Sequence, residues 1–137
     1  SRGLGDVYKR QPLHFARCVA AIAGGGVYCS PDLTGKATAK PRRVMQARHA
    51  KTLLSYMRTV VAEGTGSGAD YLGRSAGKTA TAQSGRYVQG REVLNTYFAG
   101  VYPFDNPRYA IVVMRENGTS GAADCCPVFR RIVSSLP

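Results

Sequence analysis

The stretch AGKTATAQ, at residues 76–83 of this 137-residue chain, is the most informative part of the sequence about its fold. It is rich in threonine and has no helical stripe of apolar residues, which favours an extended strand. Side chains alternate along a strand, so Lys78 and Ala80 share one side while Thr79 and Thr81 share the other. On the wall of a cleft, two hydroxyls and one ammonium would suit a small anion such as a terminal carboxylate.

The same stretch does not match the phosphate-binding loop pattern, G-x-x-x-x-G-K-[ST]. That pattern requires glycine at position 72, where the chain has Leu72, and Gly73 comes one residue too late. A phosphate loop also runs into a helix, whereas residues 79–85 show no helical stripe. An ordinary β-strand with threonines remains the open alternative for this stretch taken alone.

Two helices are predicted before this strand. Apolar residues at steps of three and four predict a helix over residues 47–63, which a flexible glycine-rich loop at 64–68 ends. Residues 12–23 predict another helix with Pro12 in its first turn, and residues 27–33 predict a short strand.

Three consecutive strands follow, over residues 74–84, 93–101 and 109–114, with turns predicted at 85–90 and 102–107. The last two strands are expected to pair antiparallel through their turn. This order predicts an α+β fold in which helices cover an antiparallel sheet.

A final helix is predicted over residues 127–136. Its apolar residues are expected to share one buried face; they are Val128, Phe129, Ile132 and Val133.

The composition is typical of one globular domain, with 44% apolar and 20% charged residues. The net charge is +11, but the basic residues are scattered and no aromatic residues interleave with them. Nucleic acid is therefore not the expected partner, although a non-enzymatic basic binding module remains an alternative. The densest basic cluster consists of Lys36, Lys40, Arg42, Arg43, Arg48 and Lys51.

The cysteines and histidines have no metal-ligand spacing, so neither a metal nor a cofactor is expected. The cysteines are interpreted as small buried apolar residues, and the histidines as ordinary. The cysteines are Cys18, Cys29, Cys125 and Cys126, and the histidines are His14 and His49.

Residues 1–11 are interpreted as foreign to the protein. The peptide DVYKRQ at 6–11 back-translates to GAT GTG TAT AAG AGA CAG, which is similar to a transposon-end adapter of shotgun sequencing libraries. Residues 12–137 are therefore expected to be the C-terminal part of a longer domain, beginning where a sequencing fragment began.

Six phrases, in this order, resemble the class B penicillin-binding proteins. Residues 12–17 resemble the family's T-P-L-Q-L-A, and residues 57–66 resemble its L-R-x-V-V-x-x-G-T-G. Residues 76–83 resemble its A-G-K-T-G-T-A-Q, and residues 97–103 resemble its W-F-x-G-x-x-P. Residues 107–113 resemble the family's next strand, and residues 122–129 resemble its ending A-A-x-x-x-P-V-F. Two departures stand out. Ala80 replaces a glycine and is expected to be tolerated, and Tyr97 replaces a tryptophan and is interpreted as packing.

The resemblance implies the penicillin-binding and serine β-lactamase-like transpeptidase fold, and a serine acyl-transferase that cross-links peptidoglycan stem peptides and binds β-lactams. It implies that Lys78 helps to organise the serine of the S-x-N loop and supplies charge. Thr79 and Thr81 would hold the substrate carboxylate, and the Thr81 amide would complete the oxyanion hole. The nucleophilic serine with its lysine, S-x-x-K, and the S-x-N loop would lie upstream, so this chain alone is expected to be inactive.

The resemblance also implies further properties of the parent protein. Other cell-wall synthesis proteins would be its partners, and the extracytoplasmic face of a bacterial membrane its location, through an anchor outside this chain. A serine β-lactamase or a D,D-carboxypeptidase shares the K-T-G strand and remains an alternative.

Overall fold

A computed structural model describes residues 12–32 and 40–137 of the chain. The proposed adapter peptide and part of the basic cluster, Lys36, lie outside the described residues. The elements, in chain order, are α1 (Pro12–Ala23), β1 (Val27–Tyr28), β2 (Arg42–Arg43), α2 (Ala47–Glu63), a 3₁₀ turn (Ser67–Ala69), β3 (Ala76–Val88), β4 (Arg91–Tyr102), β5 (Tyr109–Glu116), α3 (Gly121–Asp124) and α4 (Cys126–Ser134).

The central sheet is antiparallel, with the strand order β3-β4-β5. Thr81 of β3 is paired with Thr96 of β4, and Phe98 of β4 is paired with Val113 of β5. Among the described residues, β3 therefore lies at an edge of the sheet. A separate ribbon joins β1 to β2. The predicted α+β fold is confirmed.

Helix α2 forms over the residues that its apolar period predicts. Ala50, Met57 and Val61 lie on its buried face, at steps of seven and four residues. The Gly64 N–H donates the last helical bond, to the Val60 carbonyl at 3.1 Å, and Gly64 then turns to an extended conformation in which a Cβ would lie only 2.9 Å from that oxygen. A glycine therefore follows the helix for steric reasons.

One side of the sheet is packed into a continuous core, which we call the closed face. Its centre is the edge-to-face pair Phe98 and Phe129, whose ring centroids lie 4.7 Å apart. Helix α4 and the end of α2 cover it. The buried residues of the closed face are Val61, Ala69, Phe98, Cys125, Cys126, Phe129 and Val133.

The other side of the sheet, which we call the open face, is covered only in part by α1 and α2. Val19, Met57, Ala76 and Val101 are buried there. Beside them an open apolar cleft of about 460 Å³ remains. The residues lining the cleft are Phe15, Val19, Ile22, Leu53, Tyr56, Met57, Val60, Lys78, Ala80, Tyr97 and Ala99.

The predicted turn at residues 85–90 is wrong in extent. Strand β3 continues to Val88, and its pairing with β4 shifts register between Gln83 and Tyr87. This bulge is stable because its amides find side-chain acceptors. The Gly85 N–H donates to Glu92 Oε1 at 3.2 Å, and the Arg86 N–H donates to Ser84 Oγ at 3.1 Å.

Two predictions of burial are partly wrong. Cys125 and Cys126 are buried as expected, whereas Cys18 and Cys29 are exposed. In α4, Phe129 and Val133 are buried, but Val128 is 45% exposed.

Ile132 is also exposed, because only the stripe that contains Cys126, Phe129 and Val133 faces the sheet. The loop predicted at 64–68 is also less irregular than expected, since it leads into the 3₁₀ turn at Ser67–Ala69.

Candidate active site

Strand β3 carries the predicted site residues in an extended conformation at the edge of the sheet. Lys78 and Thr81 are exposed, and Thr79 is half-buried. Neither threonine hydroxyl is therefore enclosed in the packed interior. The strand predicted from residues 76–83 is confirmed, and its side chains are available to a ligand.

The Lys78 side chain begins on the open face, where it lines the apolar cleft. Its ammonium then turns to the strand and donates to the Thr79 carbonyl at 2.7 Å. The aliphatic stem is thus placed against apolar surface while the charge stays at the strand. This bend brings the ammonium nearer to the threonine side than alternation alone would suggest.

The Thr79 hydroxyl has a partner outside the strand. Its Oγ1 lies 2.8 Å from Oγ1 of Thr65, in the loop that follows α2. Fourteen residues separate the two threonines, so the contact depends on how α2 docks against β3. The threonine of the G-T-G motif thereby contacts the strand that carries K-T-A-T.

Ala80 fits because its methyl group lines the open cleft. On the opposite side of the strand, a Cβ added to Gly121 would contact the Tyr97 carbonyl and approach the Ala80 carbonyl at 3.0 Å. The close approach is made by the glycine of α3, so position 80 needs no glycine of its own. Ala80 also has no positive φ, so the backbone at this position accommodates an alanine in place of the family's glycine.

Behind Thr81, a polar network that runs from the buried Thr96 to the surface holds β4, β5 and α3 together. Thr81 is paired in register with Thr96, which is fully buried. The Thr96 hydroxyl donates to Asp124 Oδ2 at 3.1 Å, and Arg115 Nη1 donates to Asp124 Oδ1 at 2.9 Å. The Thr119 N–H also donates to this carboxylate, at 2.6 Å.

These donors set the charge state of Asp124. The Thr119 N–H is the largest cause that lowers the pKa of Asp124. Burial opposes it, and the Ser120 N–H, the Thr96 hydroxyl and the Arg115 charge lower the pKa further. An ionised Asp124 therefore ties the loop before α3 to Thr96 of β4 and Arg115 of β5.

A second clamp fixes the chain as it enters β3. Arg58 of α2 makes a bidentate pair with Asp70, at 2.8 and 3.1 Å, and also donates to the Ser75 carbonyl at 2.6 Å. Burial raises the pKa of Asp70, but the Arg58 guanidinium and the Ser75 N–H lower it more, so the net change is downward. Helix α2 thus positions the start of the candidate site.

The chain contains one literal S-x-x-K spacing, Ser75 to Lys78, which the expectation of an absent nucleophile motif overlooks. Ser75 is fully buried, and its hydroxyl accepts the Tyr71 N–H at 3.1 Å. In extended chain, residues three apart point to opposite sides. Ser75 therefore cannot act with Lys78 as a nucleophile and base, and its role is to hold the turn before β3.

Within residues 12–32 and 40–137, no group of three or more potential metal ligands occurs, and no helix is long and apolar enough to cross a membrane. Both cysteines at the junction of α3 and α4 are buried. Burial, together with the neighbouring Cys125, raises the pKa of the Cys126 thiol to about 11.

The family model for the penicillin binding protein transpeptidase domain matches residues 1–134 of the chain. The chain belongs to the transpeptidase domain family of class B penicillin-binding proteins.

Known relatives agree with this assignment. Penicillin-binding protein PbpB of Mycobacterium tuberculosis is 34% identical over 145 residues, which cover 85% of this chain and 21% of that protein. The peptidoglycan D,D-transpeptidase FtsI homolog of Chlorokybus atmophyticus is 30% identical over 107 residues, which cover 73% of this chain and 16% of that protein. The chain thus spans about a fifth of the length of these relatives.

A solved structure gives the same fold. The transpeptidase domain of penicillin-binding protein 3 from Burkholderia pseudomallei superposes with a TM-score of 0.70 at 25% identity. The superposition covers 93% of this chain and 42% of that one. The predicted transpeptidase fold is therefore confirmed for this member of the family.

The sequence alone did not single out Thr65, Gly121 or Asp124 as parts of the candidate site. Thr65 lies inside the G-T-G phrase that carries the family resemblance, but the phrase by itself does not indicate what its threonine does. Gly121 and Asp124 act through contacts across the sheet, with Tyr97 and Thr96, that no local pattern indicates.

Proposed function

We propose that the full-length protein containing this chain is a peptidoglycan D,D-transpeptidase, and that β3 binds the carboxylate end of its wall-peptide substrate. The observation that carries the proposal is the exposed edge of β3. There the Thr79 and Thr81 hydroxyls share one side, and the Lys78 ammonium reaches the Thr79 carbonyl. Hydroxyl donors and a nearby cation suit a carboxylate, which only accepts hydrogen bonds.

The reaction is an acyl transfer in two steps. A serine oxygen attacks the carbonyl carbon of the D-Ala-D-Ala bond, and D-alanine leaves with a proton. An amine of a neighbouring strand then attacks the ester and releases the serine. Thr79 and Thr81 would hold the terminal carboxylate, which fixes the distance between the scissile carbonyl and the serine.

The backbone of β3 has a proposed role as well. Along an antiparallel strand, N–H and C=O directions repeat every two residues, so the Thr81 amide shares the direction of the Thr79 carbonyl. That carbonyl accepts from the Lys78 ammonium. The Thr81 N–H would then lie beside a cation and could donate to the oxyanion of the tetrahedral intermediate.

The rest of the enzyme is inferred to supply the nucleophile. The fully buried Ser75 is unsuitable, so the S-x-x-K and S-x-N elements are expected in the upstream part of the domain. β-Lactams would acylate the same serine, and other cell-wall synthesis proteins would be the partners of the parent at the extracytoplasmic face of the membrane. The scheme requires no cofactor.

Fluorescent-penicillin labelling of the full-length protein tests the proposal. Replacing Lys78 or Thr81 by alanine should reduce labelling to background. Removing one oxyanion-hole donor typically costs about 10²–10³ in rate, and we expect a loss of that order when a side chain that holds the substrate carboxylate is removed. The 137-residue chain by itself should not be labelled by fluorescent penicillin.

Matched controls are available on α2, where Lys51 and Thr59 are exposed. Lys51→Ala and Thr59→Ala should label like the wild type. Undiminished labelling of Lys78→Ala and Thr81→Ala would refute the assignment of β3. The persistence of the label then separates the related activities, because a β-lactamase would lose it rapidly by deacylation whereas a transpeptidase would retain it.

A further inference from the structure

The loop after α2 holds a second hydroxyl next to the proposed carboxylate site. Thr65 Oγ1 lies 2.8 Å from Thr79 Oγ1, at hydrogen-bond distance for two hydroxyls. Thr65 is exposed and Thr79 is half-buried. Thr65 is therefore close enough to orient the Thr79 hydroxyl without being part of the strand.

The backbone fixes the position of Thr65. The Gly64 and Gly66 N–H groups both donate to the Val60 carbonyl, at 3.1 and 3.0 Å. A Cβ on Gly66 would lie 3.2 Å from side-chain atoms of Val60 and Val61, which is closer than ordinary contact. The glycines let the loop fold back onto the end of α2, so the Thr65 hydroxyl is free to serve Thr79.

The number of available protons determines which of the two threonine hydroxyls donates. Each threonine hydroxyl has one proton, and a carboxylate has none to give. Once a carboxylate accepts the Thr79 proton, the bond between the two threonines can only run from Thr65 to Thr79. Chains of hydrogen bonds in one direction also polarise each other, by an estimated ~10–30% per bond.

We propose that Thr65 is a positioning residue for carboxylate binding: its hydroxyl donates to Thr79 and leaves the Thr79 proton directed at the substrate. This inference rests on the proposed function of β3. It predicts that Thr65 acts on binding of the anion and not on the acylation step, since Thr65 contacts the Thr79 hydroxyl, which is proposed to hold the carboxylate.

The test measures two constants for benzylpenicillin, which carries a single carboxylate, in the full-length protein. These are the dissociation constant before acylation and the acylation rate constant. Thr65→Val should raise the dissociation constant about three- to tenfold, as expected for one neutral hydrogen bond. The acylation rate constant should change by less than about twofold. Thr65→Ser, which keeps the hydroxyl, should behave like the wild type.

A double-mutant cycle with Thr79→Val separates this inference from the proposed function. In the Thr79→Val background, Thr65→Val should have no further effect. If Thr79→Val weakens binding but Thr65→Val does not, or if the two effects add independently, the role of Thr65 is overturned while the site stands. If Thr79→Val itself changes nothing, the carboxylate role of Thr79 fails. Thr65→Ala is measured in the same way should Thr65→Val lower the melting temperature.

Discussion

The two sides of the same three-stranded sheet differ in how complete they are. On the closed face, the rings of Phe98 and Phe129 meet at 4.7 Å and both side chains are fully buried. On the open face, a cleft of about 460 Å³ remains between the helices and the sheet. Tyr56 beside it is 64% exposed, although its ring is apolar.

The difference shows which part of the fold this chain completes by itself. Successive side chains of β4 point to opposite sides of the sheet, so Phe98 lies on the closed face and Tyr97 on the open face. A large exposed apolar surface marks an interaction site or a ligand-binding groove. Because the chain spans 21% and 16% of two of its relatives, we infer that the remainder of the transpeptidase domain is the cover.

The largest expected effect comes from separating the chain from that cover. The isolated 137-residue chain should bind an apolar dye and melt without a cooperative transition, whereas the full-length protein should melt cooperatively. Fluorescence of the dye and thermal unfolding by circular dichroism measure this.

A pair of variants assigns the dye to the cleft. Tyr56→Lys should reduce dye binding by the isolated chain. Tyr87→Lys, at an equally exposed tyrosine in the hairpin of β3 and β4, should not. Cooperative melting of the isolated chain without dye binding would show that the open face needs no cover.

The next largest effect is expected for a substitution in the closed face. Phe129→Ala should lower the free energy of unfolding of the full-length protein by about 3–5 kcal/mol, because it leaves a cavity against Phe98. Its neighbour Val128 is 45% exposed, so Val128→Ala should cost less than about 1 kcal/mol. Urea denaturation compares the two. Similar losses would mean that the closed face is not the packed core.

The smallest effect concerns pH and the rim of the closed face. The pKa of Asp124 is lowered in the folded state by the Thr119 N–H and other donors, from its usual value of 3.8. A lowered folded-state pKa contributes stability that is present above the unfolded pKa, and that is lost as the pH falls through the folded pKa. Asp124→Asn should therefore be less stable than the wild type at pH 7, and the difference should shrink below about pH 4.

Denaturation at several pH values measures this difference. Asp105→Asn is the control, since its partner Arg74 is exposed and the pair is screened by solvent. An Asp124 effect that does not change between pH 7 and pH 3 would contradict the assignment of the carboxylate as the source of the stability.

Much of the fold follows from local patterns. The apolar period of α2 predicted its bounds at residues 47 and 63, and threonine-rich alternation predicted β3. The same reasoning ended β3 too early at Gly85. The positive φ of that glycine, +69°, serves a bulge that the Glu92 side chain stabilises from the next strand. A glycine alone does not distinguish a turn from a bulge.

The site could be predicted only in part. Alternation correctly separated Lys78 from the threonines, but the return of its ammonium to the Thr79 carbonyl depends on the three-dimensional path of the side chain. The contact between Thr65 and Thr79 joins residues fourteen apart, and the S-x-x-K spacing at Ser75 has no meaning once its chain is extended. The contact between Thr65 and Thr79 in particular depends on docking of α2, which sequence periodicity does not encode.

The central claim is that the edge of β3 holds a small carboxylate, and a crystal structure of the full-length protein acylated by benzylpenicillin tests it most directly. We predict that the carboxylate of the bound penicillin lies within about 3.2 Å of the Thr79 and Thr81 hydroxyls, with the acyl oxygen at the Thr81 amide. A carboxylate held by other residues, with both hydroxyls turned away from it, would contradict the account.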